Sequence, residues 1–242
     1  MIVKNIIPKL QKYMKRFYCE EISFPKDEKI LVVCPHQDDE ILGCGALIEK
    51  YAPQVDVLLI TNGELGNPEL SKEETVIVRN REFDMANVGV HATFKLGLKD
   101  SSFSFRELRN CNFDFSQYDA LFVPNKKEFH PDHIKTNRYI SKLAYKKRIF
   151  EYEVWTPLED YNCYIDFSGH EEKKWQRIKK YESQLKHIDY LETIAGLNRY
   201  RGIRTGSKYV ECYKKRFFYN EIFWWTILKI IMKINKWGKK IV

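Results

Sequence analysis

Short runs of apolar, β-branched residues alternate along the chain with longer stretches of helical periodicity. Residues 29–34 (KILVVC) and 55–61 (VDVLLIT) are predominantly apolar, the pattern of strands that are buried on both faces of a sheet. Between them, residues 38–51 carry apolar side chains at helical spacing, at Ile41, Leu42, Leu47, Ile48 and Tyr51. Strand, helix and strand in this order predict a parallel sheet, because parallel strands need a crossover connection.

The same alternation continues towards the carboxyl end. A helix is predicted at 71–88, with inward positions at Val78, Phe83 (or Met85) and Val88. The remaining predicted elements are strands at 91–96, 119–124, 150–155 and 208–218 and helices at 134–146 and 171–187. This order predicts an α/β fold, a Rossmann-like, doubly wound, mostly parallel sheet with helices on both faces. Ligands of such sheets bind outside the carboxyl ends of the strands.

Composition places the chain among globular proteins. Its 242 residues are 44% hydrophobic and 14% aromatic, which suffices for a substantial core and argues against disorder. Because the sequence has no linker or repeat, we predict one globular domain at 28–218, a basic amphipathic segment at 1–27 and a basic amphipathic helix at 219–242. The six cysteines include no CxxC pair, so we expect reduced, mostly buried thiols and a cytoplasmic protein. Cys34 is interpreted as a packed strand residue rather than a metal ligand.

Two clusters of imidazole and carboxylate groups follow predicted strands. The sequence reads CPHQDDE after the first strand and HPDH after the fourth. His36 with Asp39, and His130 with His133, are i,i+3 pairs, so each pair can converge from one tight turn. Together the two turns offer nitrogen and oxygen ligands for a metal, with carboxylate left for proton transfer, which predicts metal-assisted hydrolysis. Taken singly, the first cluster also fits a helix N-cap with exposed acids, and the second a surface turn.

Several further motifs accompany these clusters and are shared with one enzyme family. They are PHQDDE at 35–40, ILGCGA at 41–46, TNGELG at 61–66, RNRE at 79–82, LGLKD at 96–100, HPDH at 130–133, YEVWTP at 152–157, YESQ at 181–184 and LNRYRG at 197–202. Through them, residues 28–215 resemble the PIG-L/LmbE-like zinc-dependent N-deacetylases. The resemblance implies the PIG-L/LmbE-like deacetylase fold and removal of an N-acetyl group from an N-acetylglucosamine-type amino sugar, lipid-linked or in surface-glycan biosynthesis. The alternatives are a family amidase for another acyl or thiol-conjugate amide, and a non-catalytic membrane-associated scaffold.

The resemblance also implies a metal site. His36, Asp39 and His133 match the family's metal ligands, and three protein ligands leave a coordination position for water, as catalytic zinc requires. The implied cofactor is Zn²⁺, with another divalent metal such as Fe²⁺ as the alternative. Asp38 matches the general base, since a carboxylate next to a ligand can reach a metal-bound water without binding the metal itself. Gln37 stands where the family usually has proline, and this change removes neither a ligand nor a proton carrier.

Other residues are implied in catalysis and substrate binding. His130 matches the residue that polarises or protonates the tetrahedral intermediate, and Asp132 is expected to orient it. Arg79 matches a substrate-side arginine, although Arg81 is close enough in sequence to be the alternative.

The loop after the second strand adds weaker candidates. Asn62 and Glu64 are candidates for substrate contact, with an ordinary polar loop as the equal alternative. Asp100 fits a structural loop acid equally well. Trp155 is expected in the core rather than as a platform for a sugar.

The net charge of +8 is concentrated at the two ends of the chain. Residues 222–242 place Lys229, Lys233, Lys236 and Lys240 on one helical face among Trp, Phe and Ile residues. Lysine interrupts this stretch too often for it to span a hydrocarbon core of about 30 Å, and the pattern is typical of a helix in the headgroup region. We therefore predict an anionic membrane surface as a partner, on the inner face of the membrane, and no nucleic acid. The alternative is that the ends pack on the domain or on another subunit, which leaves an oligomer open.

Overall fold

The apolar, β-branched runs pair as parallel strands at the centre of an eight-stranded sheet. A computed structural model describes residues 19–216. The strands of this part of the chain are β1 Glu20–Glu21, β2 Ile30–Cys34, β3 Val55–Thr61, β4 Ala92–Leu98, β5 Ala120–Pro124, β6 Arg148–Tyr152, β7 Cys163–Asp166 and β8 Val210–Lys215. Their order is β4-β3-β2-β5-β6-β8-β7-β1. From β4 to β6 neighbouring strands are parallel, whereas β8 is antiparallel to both β6 and β7.

Helices connect these strands and cover both faces of the sheet. Within the described range they are α1 Asp39–Tyr51, α2 Lys72–Ala86, α3 Phe105–Asn110, α4 Pro131–Leu143, α5 Glu171–Ile178, α6 Glu182–Leu185 and α7 Tyr190–Thr205. Alternate residues of β2 enter two separate cores: Val32 packs with apolar residues of α1, and Val33 packs with Ile140 of α4. Every residue of β2 is buried, as expected for a strand with helices on both sides. The predicted doubly wound α/β fold is confirmed.

Helix α2 departs from its predicted packing. Phe83 is buried, but Val88 is 71% exposed because the helix ends at Ala86 and Val88 lies in the following turn. Met85 is also exposed, and two inward positions are taken by Arg79 and Glu82. The inward face of α2 is therefore partly polar, and this polar face looks towards the site described below.

The predicted helix at 171–187 is two helices, α5 and α6, because the chain turns between them to bury Tyr181. Neither α7 nor β7 was predicted. Among residues 19–216, none of the helices combines the length and the apolar character that a membrane crossing requires. Of the predicted basic ends, residues 1–18 and 217–242 lie outside the described residues, while Ile22 and Phe24 pack into the core.

Candidate metal centre

The two predicted clusters meet at the carboxyl edge of the sheet. His36 and Asp39 follow β2, and His130 and His133 lie at the start of α4, which follows β5. Strand β2 lies between β3 and β5, so the connections after β2 and β5 leave in opposite directions and open a crevice. The loop after β4 brings Asp100 to the same place.

The three predicted metal ligands are buried together. The Oδ2 atom of Asp39 lies 3.4 Å from Nδ1 of His36 and 3.2 Å from Nε2 of His133. Two ligand atoms at about 2.1 Å from one tetrahedral ion lie about 3.4 Å apart, so these separations suit a metal. His133 is fully buried, yet within residues 19–216 neither of its ring nitrogens has a hydrogen-bond partner of acceptable geometry, despite the approach to Asp39. A buried imidazole without a partner is costly unless it binds a ligand, and the residues therefore fit a divalent cation.

Additional donor atoms surround His36. A ring nitrogen of His36 lies within 4.8 Å of ring nitrogens of His130 and His133, and a ring nitrogen of His36 lies within 4.8 Å of carboxylate oxygens of Asp100 and Asp132. The nearest pairs join Nε2 of His36 to Asp100 Oδ1 at 3.2 Å and to Asp132 Oδ2 at 3.3 Å. Burial lowers the pKa of His36, but the hydrogen bonds to Asp100, Asp132 and Asp39 outweigh it and hold that pKa well above the usual value. A proton on Nε2 leaves Nδ1, the nitrogen that faces Asp39, for a metal.

The side chain of Asp132 contacts His36 and not His130, the residue that it was predicted to orient. Its carboxylate contacts His36, accepts a hydrogen bond from Ser101 N at 2.7 Å and lies 3.3 Å from Lys135 Nζ. It does not orient the ring of His130. Instead, Nδ1 of His130 accepts a hydrogen bond from the backbone N–H of Asp132 at 3.3 Å. Asp132 therefore supports the candidate ligand His36 together with Asp100, for which the sequence allows a site residue and a structural loop acid equally.

Asp38 occupies a strained turn between β2 and α1. Its φ is +112°, in a region that non-glycine residues rarely adopt, and its side chain is buried. The Oδ2 atom lies 3.4 Å from Nη2 of Arg79. Burial raises the pKa of Asp38 well above its usual range, Arg79 opposes this, and Asp39 and Glu40 raise it further. A carboxylate whose pKa is raised is a stronger proton acceptor, which suits a general base.

Glu40 stabilises the strained turn through hydrogen bonds. One carboxylate oxygen, Oε2, accepts the backbone N–H of Asp38 at 3.1 Å. The other accepts hydrogen bonds from the Tyr181 hydroxyl and from Asn87 Nδ2, the latter at 2.9 Å. Burial raises the pKa of Glu40 to about 7 against the lowering effect of these two bonds. Tyr181 and Asn87 lie far away in sequence, and only Tyr181 falls within a shared motif.

His130 is half-buried at the edge of the cluster. Its ring centroid lies 4.8 Å from that of His36 and 5.0 Å from that of His133. Burial and the nearby charges of His36 and His133 lower the pKa of His130. The ring is therefore kept neutral, with Nε2 free of the bond made by Nδ1, so it can orient or exchange a proton.

The remaining candidates tie the surrounding loops together. Arg79 is buried and donates from Nη2 to the carbonyl of Gln37 at 2.5 Å, whereas Arg81 is exposed. Gln37 donates to the carbonyl of Asn62 at 3.0 Å. Glu64 accepts the backbone N–H of Asp100 at 3.1 Å, so it fixes the loop that carries this carboxylate. Arg79 is thus the arginine at the site, and Gln37 joins the metal-side turn to the next loop.

Comparisons with known proteins agree with this geometry. Residues 31–144 match the family profile described as PIG-L: GlcNAc-PI de-N-acetylase. The fold is similar to that of the N,N'-diacetylchitobiose deacetylase from Pyrococcus horikoshii complexed with its inhibitor MPG, at 22% identity and a TM-score of 0.67, covering 79% of this chain and 85% of that chain.

Two further solved structures share the fold. One is the conserved protein TT1542 from Thermus thermophilus, at 23% identity and a TM-score of 0.63, covering 78% of this chain and 95% of that one. The other is a deacetylase–bog complex in the biosynthesis pathway of teicoplanin, at 15% identity and a TM-score of 0.56, covering 78% and 98%. These matches confirm the predicted fold.

Proposed function

Since the chain belongs to the PIG-L/LmbE-like deacetylase family, we propose that it is a metal-dependent hydrolase that removes the N-acetyl group from an N-acetylglucosamine-type amino sugar. The proposed substrate is lipid-linked or an intermediate of surface-glycan biosynthesis. The observation that carries the proposal is the buried group of His36, Asp39 and His133 beside the strained Asp38. Within residues 19–216, the fully buried ring of His133 makes no hydrogen bond of acceptable geometry. Zn²⁺ is the proposed ion, with Fe²⁺ as the alternative, because two imidazoles and one carboxylate suit either.

The residues divide the work of hydrolysis among them. When bound, the divalent cation supplies a water of lowered pKa and polarises the amide carbonyl. Asp38 takes a proton from the attacking water, and its burial beside Arg79 keeps it available for that step. The water oxygen bonds to the acetyl carbon, the C–N bond breaks, and acetate and a free amine leave.

His130 and the loop residues act on the substrate side. His130 stabilises the oxyanion or protonates the departing nitrogen, for which its neutral ring and its position beside His36 and His133 are suited. Asp100 and Asp132 hold His36 in the orientation that faces Asp39. We assign Arg79, Asn62 and Glu64 to the substrate side of the site, where Arg79 also keeps the charge of Asp38 in place.

The test combines metal analysis with acetate release. We expect the purified protein to contain one divalent ion per chain and to release acetate from N-acetylglucosamine conjugates. A panel that also includes other acyl groups and thiol-conjugated amides separates the family's alternatives. Bound metal with turnover of only the non-sugar amides would replace the proposed substrate, and the absence of turnover on every amide would favour a non-catalytic scaffold.

We also propose a cytoplasmic protein that binds the inner face of an anionic membrane through its basic ends. The support is the sequence alone, chiefly the lysine stripe of residues 229–240, since these ends lie outside the described residues. Flotation with anionic liposomes tests this in the full chain. Replacing Lys229, Lys233, Lys236 and Lys240 by glutamine should release the protein, and wild-type protein that stays unbound contradicts the proposal.

A further inference from the structure

Two exposed aromatic side chains lie beside the site without a part in the proposed hydrolysis. Phe129, immediately before His130, is 69% exposed. Trp155 is 37% exposed, so the prediction that it belongs to the core is wrong. The two ring centroids are 6.1 Å apart and the rings meet at 72°. Exposed aromatic groups that lie together next to a polar cluster are characteristic of ligand sites.

A buried carboxylate fixes the loop that carries Trp155. Glu128 is 2% exposed and accepts the backbone N–H groups of Val154, Trp155 and Thr156 at 3.1, 3.1 and 3.0 Å. The hydroxyl of Thr156 accepts the backbone N–H of Phe129 at 3.3 Å. Both rings are therefore presented by one hydrogen-bonded unit, and little conformational freedom would be lost when a ligand binds them.

A third aromatic ring, that of the buried Tyr190, packs on this pair. Its ring lies 5.5 Å from that of Trp155. Burial raises the pKa of Tyr190, and the charges of Asp38 and Asp39 raise it further. Tyr190, Trp155 and Phe129 thus form a row of three aromatic rings, in which Tyr190 is buried and Phe129 is exposed.

We propose that Phe129 and Trp155 form a subsite for a second pyranose ring, the sugar linked to the N-acetylated one. This inference rests on the proposed function and specifies its substrate class as a disaccharide or longer glycan. The apolar C–H face of a pyranose ring matches an aromatic surface, while its hydroxyls need polar neighbours. Polar groups lie on the two loops that carry the rings: Lys127 and Glu159 form an ion pair between these loops, and the Thr156 hydroxyl is hydrogen-bonded to the backbone of Phe129. Such neighbours suit a sugar better than an alkyl chain.

Substrate selectivity tests the subsite in the full-length protein. Acetate release is measured with N-acetylglucosamine, with N,N'-diacetylchitobiose and with octyl N-acetylglucosaminide. In Phe129→Ala and Trp155→Ala we expect the ratio of kcat/KM for the disaccharide to that for the monosaccharide to fall about 10-fold. Because Phe129 is largely exposed, its variant should fold even if the loss of Trp155 disturbs Tyr190.

Tyr145→Ala is the matched control, since this ring is 63% exposed but belongs to the turn after α4. Its selectivity ratio should stay at the wild-type value. An unchanged ratio in Phe129→Ala and Trp155→Ala overturns the subsite while leaving the proposed function intact. A loss confined to the octyl glycoside also overturns it, because the rings would then bind an alkyl chain.

A binding measurement separates failure of the subsite from failure of the proposed function. Saturation-transfer NMR with the deacetylated disaccharide needs no turnover. Contact of both sugar rings in the wild type, with loss of the signal from the second ring in Phe129→Ala, supports the subsite even if no acetate is released from any sugar. No transfer to the second ring in the wild type would refute it.

Discussion

Two groups of buried polar side chains lie along helix α1, one at its amino end and one at a break within the helix. They differ in how completely their polar atoms are hydrogen-bonded. At the amino end, Asp38 is strained, and neither ring nitrogen of His133 makes a hydrogen bond of acceptable geometry among the described residues. Farther along, the helix is broken at Cys44, and a buried pair of Lys174 and Glu211 fills the break. We interpret the first group as a ligand-binding site and the second, Lys174 with Glu211, as part of the structural core.

The second group satisfies the backbone that the break exposes. Lys174 donates to the carbonyl of Leu42 at 2.9 Å and to Glu211 at 2.6 Å. Glu211 accepts the N–H groups of Ala46 and Leu47 at 2.7 and 3.1 Å. Both interrupted ends of the helix are thereby capped by side chains. A buried ion pair whose polar atoms are all hydrogen-bonded points to structure, whereas a buried imidazole without a well-formed hydrogen bond at a sheet edge points to function.

The largest effect is expected from loss of His133. His133→Ala should remove the bound metal and with it all detectable acetate release, because a three-residue site loses one ligand. Stability should change less than for an ordinary core deletion, since the imbalance of an unpartnered buried imidazole is also removed. Metal content by atomic emission checks this, with the exposed His187→Ala as the control. A variant that keeps stoichiometric metal would exclude His133 from the site.

The next effect concerns Asp38, which lies beside the ligands. Asp38→Asn keeps the shape of the side chain but removes the base, so we expect acetate release to fall roughly 10²–10⁴-fold with metal still bound. Steady-state kinetics and metal analysis on the same sample measure both. Asp84→Asn changes an exposed carboxylate on α2 and should behave as wild type. Near-normal turnover by Asp38→Asn would remove it from the mechanism.

The structural group should respond in stability instead. Lys174→Met leaves Glu211 buried without its cation and should lower the free energy of unfolding by about 3–5 kcal/mol. Denaturant unfolding measures the change. Lys179→Met, which breaks the exposed pair with Glu172, should leave the free energy of unfolding almost unchanged. Equal effects of the two substitutions would mean that the buried pair contributes no more than a surface pair.

The sequence predicted the parallel strands β2 to β6 and the two metal-side clusters because their signals are local. His36 and Asp39 share one turn, as do His130 and His133, and each turn directly follows a strand or opens a helix. Residues that reach the site from separate loops left no such signal. Asp100 is one carboxylate among many until β4 places it beside β2.

Burial of polar and aromatic side chains was predicted least well. Lys174 belongs to a stretch that is strongly polar in sequence, yet it is only 1% exposed. It can be buried because Glu211 and the carbonyl of Leu42 accept its hydrogen bonds. Trp155 has the large apolar side chain of a typical core residue. However, Glu128 accepts a hydrogen bond from its backbone N–H and holds the loop so that the ring is exposed. In both cases the deciding partner is distant in the chain.

The smallest effect is expected at Asp100, which shares features with both groups of buried side chains. Its carboxylate is buried and paired like that of Glu211, but its partner is the candidate ligand His36. Asp100→Asn should therefore leave stability almost unchanged and weaken metal binding about 10–100-fold. A competition titration with a chelator measures the affinity, and the exposed Asp114→Asn is the control. A loss of stability without a loss of metal affinity would instead assign Asp100 to the fold.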